Sequence, residues 1–317
     1  MLRMIWQRLL FAVFALLVIS VLVFAATQAL PGDAAIAQLG KQATPEALAA
    51  MRARMNLDAP VVVQYVHWLG NIVTGNLGNS LVTNNSVGDL IGGQVMNTVS
   101  LMLIAGVIAL PLAVLLGVVM AIRAGKIADH VAGSLLLVIV AVPEFVISVL
   151  LVALLSTNVL KLLPAVSLLE PDKSVFAQLN LFVLPVTTLV LILLPYVART
   201  VRSCMLDSLE SEYVMMARLK GIPERKIILR HALPNIAGPL FQVAAQSLAF
   251  LAGGVVVVET VFQFPGIGYA FIQAVQSRDL PVIQALAVLL AGFYVVLNTV
   301  ADLGTVAMTP TLRKGAR

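Results

Sequence analysis

Three polar side chains within long apolar stretches carry groups that can bind a solute. Glu144 lies near the middle of an apolar stretch over about 131–156, and Gln242 and Gln246 lie in another over about 236–258. A carboxylate in hydrocarbon is costly, so it must be protonated, be paired or face water, and it is a functional candidate by default. The two glutamines are four residues apart and therefore share one helix face. Such groups can contact a solute, or they can join neighbouring helices through hydrogen bonds.

Other polar and small residues lie at or near the ends of apolar stretches. Each allows a packing role beside a functional one, and for Gly253-Gly254 we expect close helix packing. This weaker set consists of Asn97, Thr98, Ser100, Gly253, Gly254, Glu259, Asp302 and the turn Phe264-Pro265-Gly266-Ile267-Gly268.

The second chemical feature is the basic segment, residues 212–234 (EYVMMARLKGIPERKIILRHALP), which separates two apolar stretches. A basic loop between membrane spans is typical of the cytoplasmic side. Gly221 is expected to take the left-handed conformation that ends a first helix, and Pro223 suits the first turn of the next helix. Leu233-Pro234 is then expected to turn the chain back into the membrane.

The first helix of the basic segment combines apolar and charged side chains. Methionine is an adaptable packing residue that suits a groove of changing shape. An apolar surface amid charges is therefore expected on this helix, formed by Val214, Met215, Ala217 and Leu219.

The elements that position these residues are membrane spans. Of 317 residues, 60% are hydrophobic and 11% are charged, and the mean hydropathy is +1.01, which is typical of a polytopic membrane protein. About 20 apolar residues are needed to cross the hydrocarbon core. The chain is thus predicted to be all-α, one transmembrane domain over residues 1–317. The six predicted spans are about 9–29, 97–122, 131–156, 181–199, 236–258 and 282–303.

The orientation follows from the distribution of lysine and arginine. With the N-terminus inside, fourteen of the 20 Lys and Arg residues fall on the cytosolic side, which predicts that both termini are cytosolic. The net charge of +5 is thereby explained without a nucleic-acid partner. The first apolar stretch could instead be a cleaved signal peptide, but its length and the absence of a clean cleavage site favour a retained helix.

The chain has no pattern for a nucleotide or for a cysteine-based metal site. No G-x-x-x-x-G-K-[ST] sequence is present, so ATP would have to be bound by another subunit. Cys204 is the only cysteine, which excludes an intrachain disulfide. No catalytic, cofactor-binding or metal-ligating residue is assigned.

The first outer loop, over about 31–96, is the largest predicted region outside the membrane. Thr44-Pro45-Glu46 is expected to open a helix that runs to about Asn56. A second helix over about 60–72 has an aromatic and apolar side, which predicts either a location at the membrane surface or packing on neighbouring spans. The loop is too small to capture a solute, so a separate binding protein is expected.

Several motifs resemble those of one transporter family. The spacing of Ala217, Gly221 and Leu233-Pro234 is similar to that of the cytoplasmic EAA loop of bacterial ABC-importer permeases. EYVMMARLKG followed by RHALPN resembles the dipeptide/oligopeptide/nickel branch, although Met215 and Met216 replace the first two letters of the motif. Further matches are TQALPGD (27–33), GNLGNS (75–80), VPEF (142–145), VVVVETVFQFPGIG (255–268) and Asp302, whereas the branch's C-terminal Asp-Pro-Arg is Thr309-Pro310-Thr311 here.

The resemblance implies an inner-membrane permease subunit of an ATP-driven importer with a cytoplasmic coupling helix. It implies a second homologous permease, two ATPase domains that hold ATP and Mg, and an extracytoplasmic solute-binding protein. The cargo would be peptides or peptide-like solutes, with nickel complexes, glutathione or sugars as alternatives. The residues implied in coupling to the ATPase are Glu212, Met215, Ala217, Gly221, Leu233 and Pro234, and the candidate pathway residues are Glu144, Gln242 and Gln246.

Two other classes of membrane protein fit the sequence less well. A secondary transporter driven by an ion gradient needs a relay of embedded ionisable groups and often has inverted repeats. No repeat is visible in this chain, and Glu144 stands nearly alone at its depth. Only the mid-span carboxylate of Glu144 argues against a non-transporting membrane scaffold.

Overall fold

The computed structural model describes residues 2–29, 44–54, 58–157, 160–170, 173 and 175–308. Within these ranges every regular element is a helix, which confirms the all-α fold class. The predicted end of a helix near Asn56, residues 30–33 of the TQALPGD motif and Thr309-Pro310-Thr311 lie outside the described residues. The helices are α1 (Leu2–Gln28), α2 (Pro45–Arg54), α3 (Val61–Val73), α4 (Val87–Ile122), α5 (Ile127–Ala141), α6 (Glu144–Val152), α7 (Leu179–Leu209), α8 (Glu212–Leu219), α9 (Glu224–Ile227), α10 (Leu233–Asn235), α11 (Ala237–Phe262), α12 (Ile267–Ser277) and α13 (Leu280–Met308).

Five of these helices are long and apolar enough to cross a membrane, and a bent pair, α5 and α6, brings the number up to six. The spans lie where the hydropathy of the sequence predicts them. Helix α4 begins about ten residues before its predicted start. Helix α7 continues through Pro185 and Pro195, because the carbonyls freed by proline in a membrane helix can find other partners.

The third predicted span is broken, so its prediction as one continuous helix is wrong. Val142 is extended (φ −88°, ψ 125°), and Glu144–Thr157 leaves Ile127–Ala141 at an angle of 99°. Pro143 has no N–H group and disfavours the helical conformation for the residue before it. Glu144 therefore does not lie in mid-helix but in the first turn of α6.

The helices form two compact units, and the first is built from Val99–Phe264 and the segments at the two chain ends. Its central element is α7, which packs against α5, α6 and α11. Helix α4 approaches α7 so closely that a Cβ placed at Gly117 would lie 2.5 Å from the carbonyl oxygen of Ala198. Arg8 and Asp302, from the two ends of the chain, form an ion pair at 2.5 Å.

The second compact unit comprises Leu10–Thr98 and Pro265–Val295. Its core is formed by α12, the start of α13 and the start of α4. The Asp279 side chain accepts a hydrogen bond from the Leu81 N–H at 3.0 Å and another from the Ser80 hydroxyl, and it thereby holds the loop before α4.

Helix α2 confirms the helix-start signal in the sequence. The Thr44 hydroxyl accepts a hydrogen bond from the Ala47 N–H at 3.2 Å, as expected of a residue that caps α2. On α3, Tyr65 and Trp68 pack on Phe24 of α1, with ring centroids 5.5 and 5.4 Å apart. The aromatic side of α3 therefore packs on a neighbouring span. Its opposite side is exposed and apolar, with Val62, Val66 and Val73.

Candidate functional site

The basic segment folds as a helix, a break and a second helical stretch, as the sequence predicts. Gly221 has φ +74°, the left-handed conformation that favours glycine. The Ile222 N–H donates to the Ala217 carbonyl at 3.2 Å, which closes the end of α8. Pro223 comes directly before the first residue of α9, where its lack of an N–H group costs no helical hydrogen bond.

Helix α8 has a buried side and an exposed apolar side. Val214 and Ala217 are buried against Ile227 and Ile222, so the prediction that these two residues belong to an outward surface is wrong. Val214 and Ala217 are three residues apart and share the buried side of the helix, whereas Met215, Met216 and Leu219 lie on its exposed side. The exposed apolar side chains are those of Tyr213, Met215, Met216 and Leu219, which is 76% exposed.

The two helical stretches of the basic segment are joined across the glycine break by an ion pair. Arg218 donates from Nη2 and Nε to the two carboxylate oxygens of Glu224, at 2.6 and 3.1 Å. This hydrogen bonding lowers the pKa of Glu224 below its usual value, although partial burial acts in the opposite direction. Both side chains are about half exposed, so the pair adds at most about 1 kcal/mol to stability.

The basic segment is also attached to the end of α7. The hydroxyls of Ser208 and Tyr213 are 2.6 Å apart, and the Ser208 hydroxyl lies 3.4 Å from the carbonyl oxygen of Ala232. Leu233 packs against the core around α7, whereas Pro234 and Glu212 are exposed. Helix α8 is therefore attached to the end of α7 by side-chain contacts.

The carboxylate of Glu144 lies against α11, where Gly254 leaves space for it. A Cβ at Gly254 would come within 3.0 and 3.1 Å of the two carboxylate oxygens, whereas a Cβ at Gly253 would meet nothing within 4 Å. The first turn of a helix favours a negative charge. Gly254 thus makes room for a carboxylate, which sequence reasoning missed because it treats the two adjacent glycines alike.

Gln242 and Gln246 lie on an exposed side of α11, together with Phe250, Gly253 and Val257. Gly254 is buried on another side of the same helix and lies eight residues, or about 12 Å, further along it than Gln246. The structure therefore does not bring Glu144 beside the two glutamines. The glutamines share a face that no other part of the described chain covers.

Two of the weaker polar candidates hold a turn. Asn97 donates its side-chain N–H to the Pro265 carbonyl at 2.8 Å, and the Thr98 hydroxyl accepts from the Ile267 N–H at 2.9 Å. Both residues lie well inside α4 and do not open it, because that helix begins at Val87. Of the two roles open for them, these bonds support the structural one.

Sequence reasoning also missed an ion pair between Asp129 and Arg202. The Arg202 Nε and Nη2 donate to the two carboxylate oxygens of Asp129, at 2.7 and 2.6 Å. Both residues lie near span ends, where water is within reach, so neither stands out in a hydropathy profile. The signal was an acidic residue in a short segment, residues 123–130, whose other charged residues are basic. Among the described residues, no group of three or more His, Cys, Asp or Glu side chains could hold a metal ion.

Comparison with known proteins assigns the chain to a family. Residues 113–314 match the sequence profile of the binding-protein-dependent transport system inner membrane component, and residues 1–102 match its N-terminal companion profile. A probable peptide ABC transporter permease protein of Sinorhizobium fredii is 31% identical over 97% of this chain and 98% of its own length. A putative peptide transport system permease protein of Brucella abortus is 33% identical over 99% of both chains.

A further relative and a solved structure extend the comparison. The metal-staphylopine import system permease protein of Staphylococcus aureus is 31% identical over 86% of this chain and 85% of its own length. The MetNI methionine ABC transporter in inward-facing conformations shares the fold, with a TM-score of 0.55 and 17% identity over 69% of this chain and 96% of that chain. The two profile matches and the relatives over nearly the whole length show that this chain belongs to the binding-protein-dependent family of inner-membrane permease subunits of ABC importers.

Proposed function

We propose that this permease forms half of the translocation pathway for peptides or peptide-like solutes. The observation that carries the proposal is the similarity, over 97–99% of the chain, to permeases named for peptide transport. A second homologous permease supplies the other half, and a solute-binding protein delivers the cargo from the outer side. ATP and Mg are bound by separate ATPase subunits, and this chain itself performs no hydrolysis.

A complexed metal ion is the second candidate cargo. It is favoured by the similarity to the metal-staphylopine permease over 86% of the chain. Both cargoes carry polar and charged groups on a small organic frame, so the same permease architecture suits either. The choice between them rests largely with the binding protein.

The basic segment is the proposed contact with the ATPase subunit. Met215, Met216 and Leu219 form an exposed apolar surface on a short helix, with Glu212 exposed in its first turn. Exposed methionine and leucine side chains suit a groove on a partner that changes shape. Ala217, Gly221, Leu233 and Pro234 act indirectly, because they set the angle of α8 and its connection to α11.

The exposed face of α11 is the proposed wall of the pathway. It carries Gln242 and Gln246 among apolar residues, and it is uncovered in the isolated chain. Polar side chains on an uncovered membrane face are best satisfied by water or by a second subunit. Glu144 is proposed to contribute its carboxylate where the broken third span meets α11.

The proposed topology places both termini and the basic segment in the cytosol. In a Cys204→Ser background, a cysteine at Asn76 should react with an impermeant thiol reagent added outside intact spheroplasts. A cysteine at Glu224 should not react. Both positions are exposed, so a reversed labelling pattern would overturn the topology and not merely reflect burial.

The proposed function is tested by reconstitution. The permease, its homologous partner, the ATPase subunits and the binding protein are placed in proteoliposomes, and uptake of labelled peptides and metal chelates is measured. We expect peptide uptake that requires both ATP and the binding protein. Uptake of the metal chelate alone would establish the second candidate, and uptake driven by an ion gradient without ATP would overturn the proposal.

A further inference from the structure

An ion pair with a buried carboxylate and a partly exposed arginine links two helices of the first compact unit, apart from the basic segment and the exposed face of α11. Asp129, in the first turn of α5, is only 3% exposed. Both of its carboxylate oxygens accept hydrogen bonds from Arg202 of α7, and the Gly125 N–H donates to one of them at 3.2 Å. The paired, two-pronged geometry holds the two helices in one orientation.

On one side, the ion pair reaches the basic segment through α7. Arg202 is seven residues, or about 10 Å, from the end of α7 at Leu209. After two intervening residues α8 begins, and the contact between the Ser208 and Tyr213 hydroxyls ties α8 to the same end of α7. A displacement of α8 therefore arrives at Arg202 through a short, continuous stretch of helix.

On the other side, the ion pair reaches the broken span. Asp129 lies at the start of α5, which ends at Ala141 immediately before the break at Val142-Pro143. Beyond the break, α6 packs against both α7 and α11 and carries Glu144. Asp129 is thus positioned to set the tilt of the helix that leads to the break.

Stability alone is a weak reason for such a pair. Replacing a buried ion pair by well-packed apolar residues is often neutral or stabilising, by about 1–4 kcal/mol, because buried charges lose their hydration. Here the Asp129 carboxylate is buried, whereas the Arg202 side chain is 32% exposed. The surrounding contacts between α4 and α7 are already close and apolar, as at Gly117 and Val201. The ion pair adds a fixed orientation of α5 relative to α7, because a bidentate hydrogen bond resists the sliding and rotation that an apolar contact permits.

We propose that Asp129 and Arg202 are positioning residues that make α5, and with it the broken third span, follow the basic segment during the ATPase cycle. The pair touches neither solute nor nucleotide. The inference rests on the proposed function, in which α8 receives the movement of the ATPase subunit. Without the pair, α7 would still move, but α5 would follow it only through apolar contacts.

The test compares solute transported per ATP hydrolysed in the reconstituted complex. Arg202→Lys keeps the charge but loses the two-pronged geometry, and Asp129→Leu/Arg202→Met replaces the pair by apolar side chains. Arg199→Lys is the matched control, because Arg199 is exposed and lies about one turn earlier on the same helix. We expect the transport ratio to fall about fivefold or more in the first two variants, a typical size for a coupling effect, and to remain unchanged in the control.

The outcomes separate this inference from the proposed function. If the wild-type complex shows no ATP-dependent uptake, the proposed function fails. If the wild type transports and the apolar double variant assembles with the wild-type transport ratio, the ion pair is only a packing element and the inference is overturned.

A second measurement keeps the inference testable if these variants do not assemble. Spin labels at Val138 of α5 and Lys220 beside α8, both exposed, report the distance between the two elements in an otherwise intact pair. We expect this distance to stay the same with and without ATP, because α5 follows the basic segment. A distance distribution that shifts on ATP binding would show that the two elements move separately.

Discussion

The chain contains two helix breaks that differ in cause. At Gly221 the backbone takes a left-handed conformation, with φ +74°, in an exposed part of the basic segment. At Val142-Pro143 the backbone is extended, and the helices on either side meet at 99° within a predicted membrane span. The break at Gly221 depends on glycine, which permits the left-handed conformation. The break at Val142-Pro143 depends on proline, which disfavours the helical conformation of the residue before it.

The two breaks are also held in different ways. Across Gly221, the exposed Arg218–Glu224 pair joins α8 to α9. Beside Pro143, the Glu144 carboxylate lies against Gly254 of α11, so that break is supported by another helix. The break at Gly221 is thus held by residues of the same segment, whereas the break at Pro143 is also contacted by a helix that is distant in sequence.

The largest effect is expected from filling the space beside the proline break. Gly254→Leu should prevent α6 from packing on α11, because even a Cβ there would lie 3.0–3.3 Å from the Glu144 carboxylate group. Overpacking of this kind costs about 1–3 kcal/mol, and we expect loss of transport and a lower unfolding temperature. Gly253→Leu is the matched control, since that position is exposed and open. Equal behaviour of the two variants would show that Gly254 has no special role.

The next largest effect is expected at the glycine break. Gly221→Val should leave the protein in the membrane but misdirect α8, because a β-branched residue in the left-handed conformation costs about 1–3 kcal/mol. The expected result is loss of ATPase stimulation by the binding protein at normal subunit stoichiometry. Gly221→Asn should retain most of the stimulation, since asparagine tolerates this conformation. Full stimulation of the valine variant would make Gly221 an ordinary loop residue.

A smaller and selective effect is expected at Glu144. Glu144→Gln keeps the shape beside Gly254 and removes the charge. If the carboxylate lines the pathway, uptake of solutes with an amine should fall about tenfold, since hydrogen bonds to charged groups are worth about 1.5–3 kcal/mol, while uptake of neutral solutes is retained. If uptake falls equally for all solutes, Glu144 has a structural role. If uptake is unchanged for every solute, the charge of Glu144 has no role in the pathway.

The smallest effect is expected at the exposed ion pair. Glu224→Gln should lower the stability of the complex by no more than about 1 kcal/mol. Because Arg218 lowers the pKa of Glu224 in the folded chain, the contribution of the pair is present above the unfolded pKa and is lost as the pH falls through the folded pKa. The unfolding temperatures of wild type and variant should therefore converge at acidic pH. A difference in unfolding temperature that stays constant with pH would exclude a charge-based contribution.

Sequence patterns predicted the parts of the structure that depend on neighbouring residues. Span positions follow from runs of apolar residues, and the cap at Thr44 and the break at Gly221 follow from local backbone chemistry. The orientation of α8 was predicted only in part. Val214 and Ala217 are buried, because the second stretch of the segment folds back onto them through Ile227.

The candidate pathway residues show where prediction from sequence ended. Glu144 was placed in mid-span because a hydrophobic run does not reveal a bend, although Pro143 within it is a local cause of one. The space left for its carboxylate by Gly254 is more than a hundred residues away in the chain. Gln242 and Gln246 were correctly assigned to one side of a helix, and only the packing of α11 showed that this side is exposed.

The sequence by itself determined the membrane class, the approximate spans, the basic segment and its glycine break, because each depends on composition or on conformational preferences within a few residues. Only the tertiary structure decided which side of α8 is exposed, where the third span bends in space, and that Asp129 pairs with Arg202, 73 residues away. A contact between distant residues depends on how helices cross, and many sequences with the same hydropathy can cross differently. Those long-range contacts, and not the local patterns, connect the basic segment to the broken span.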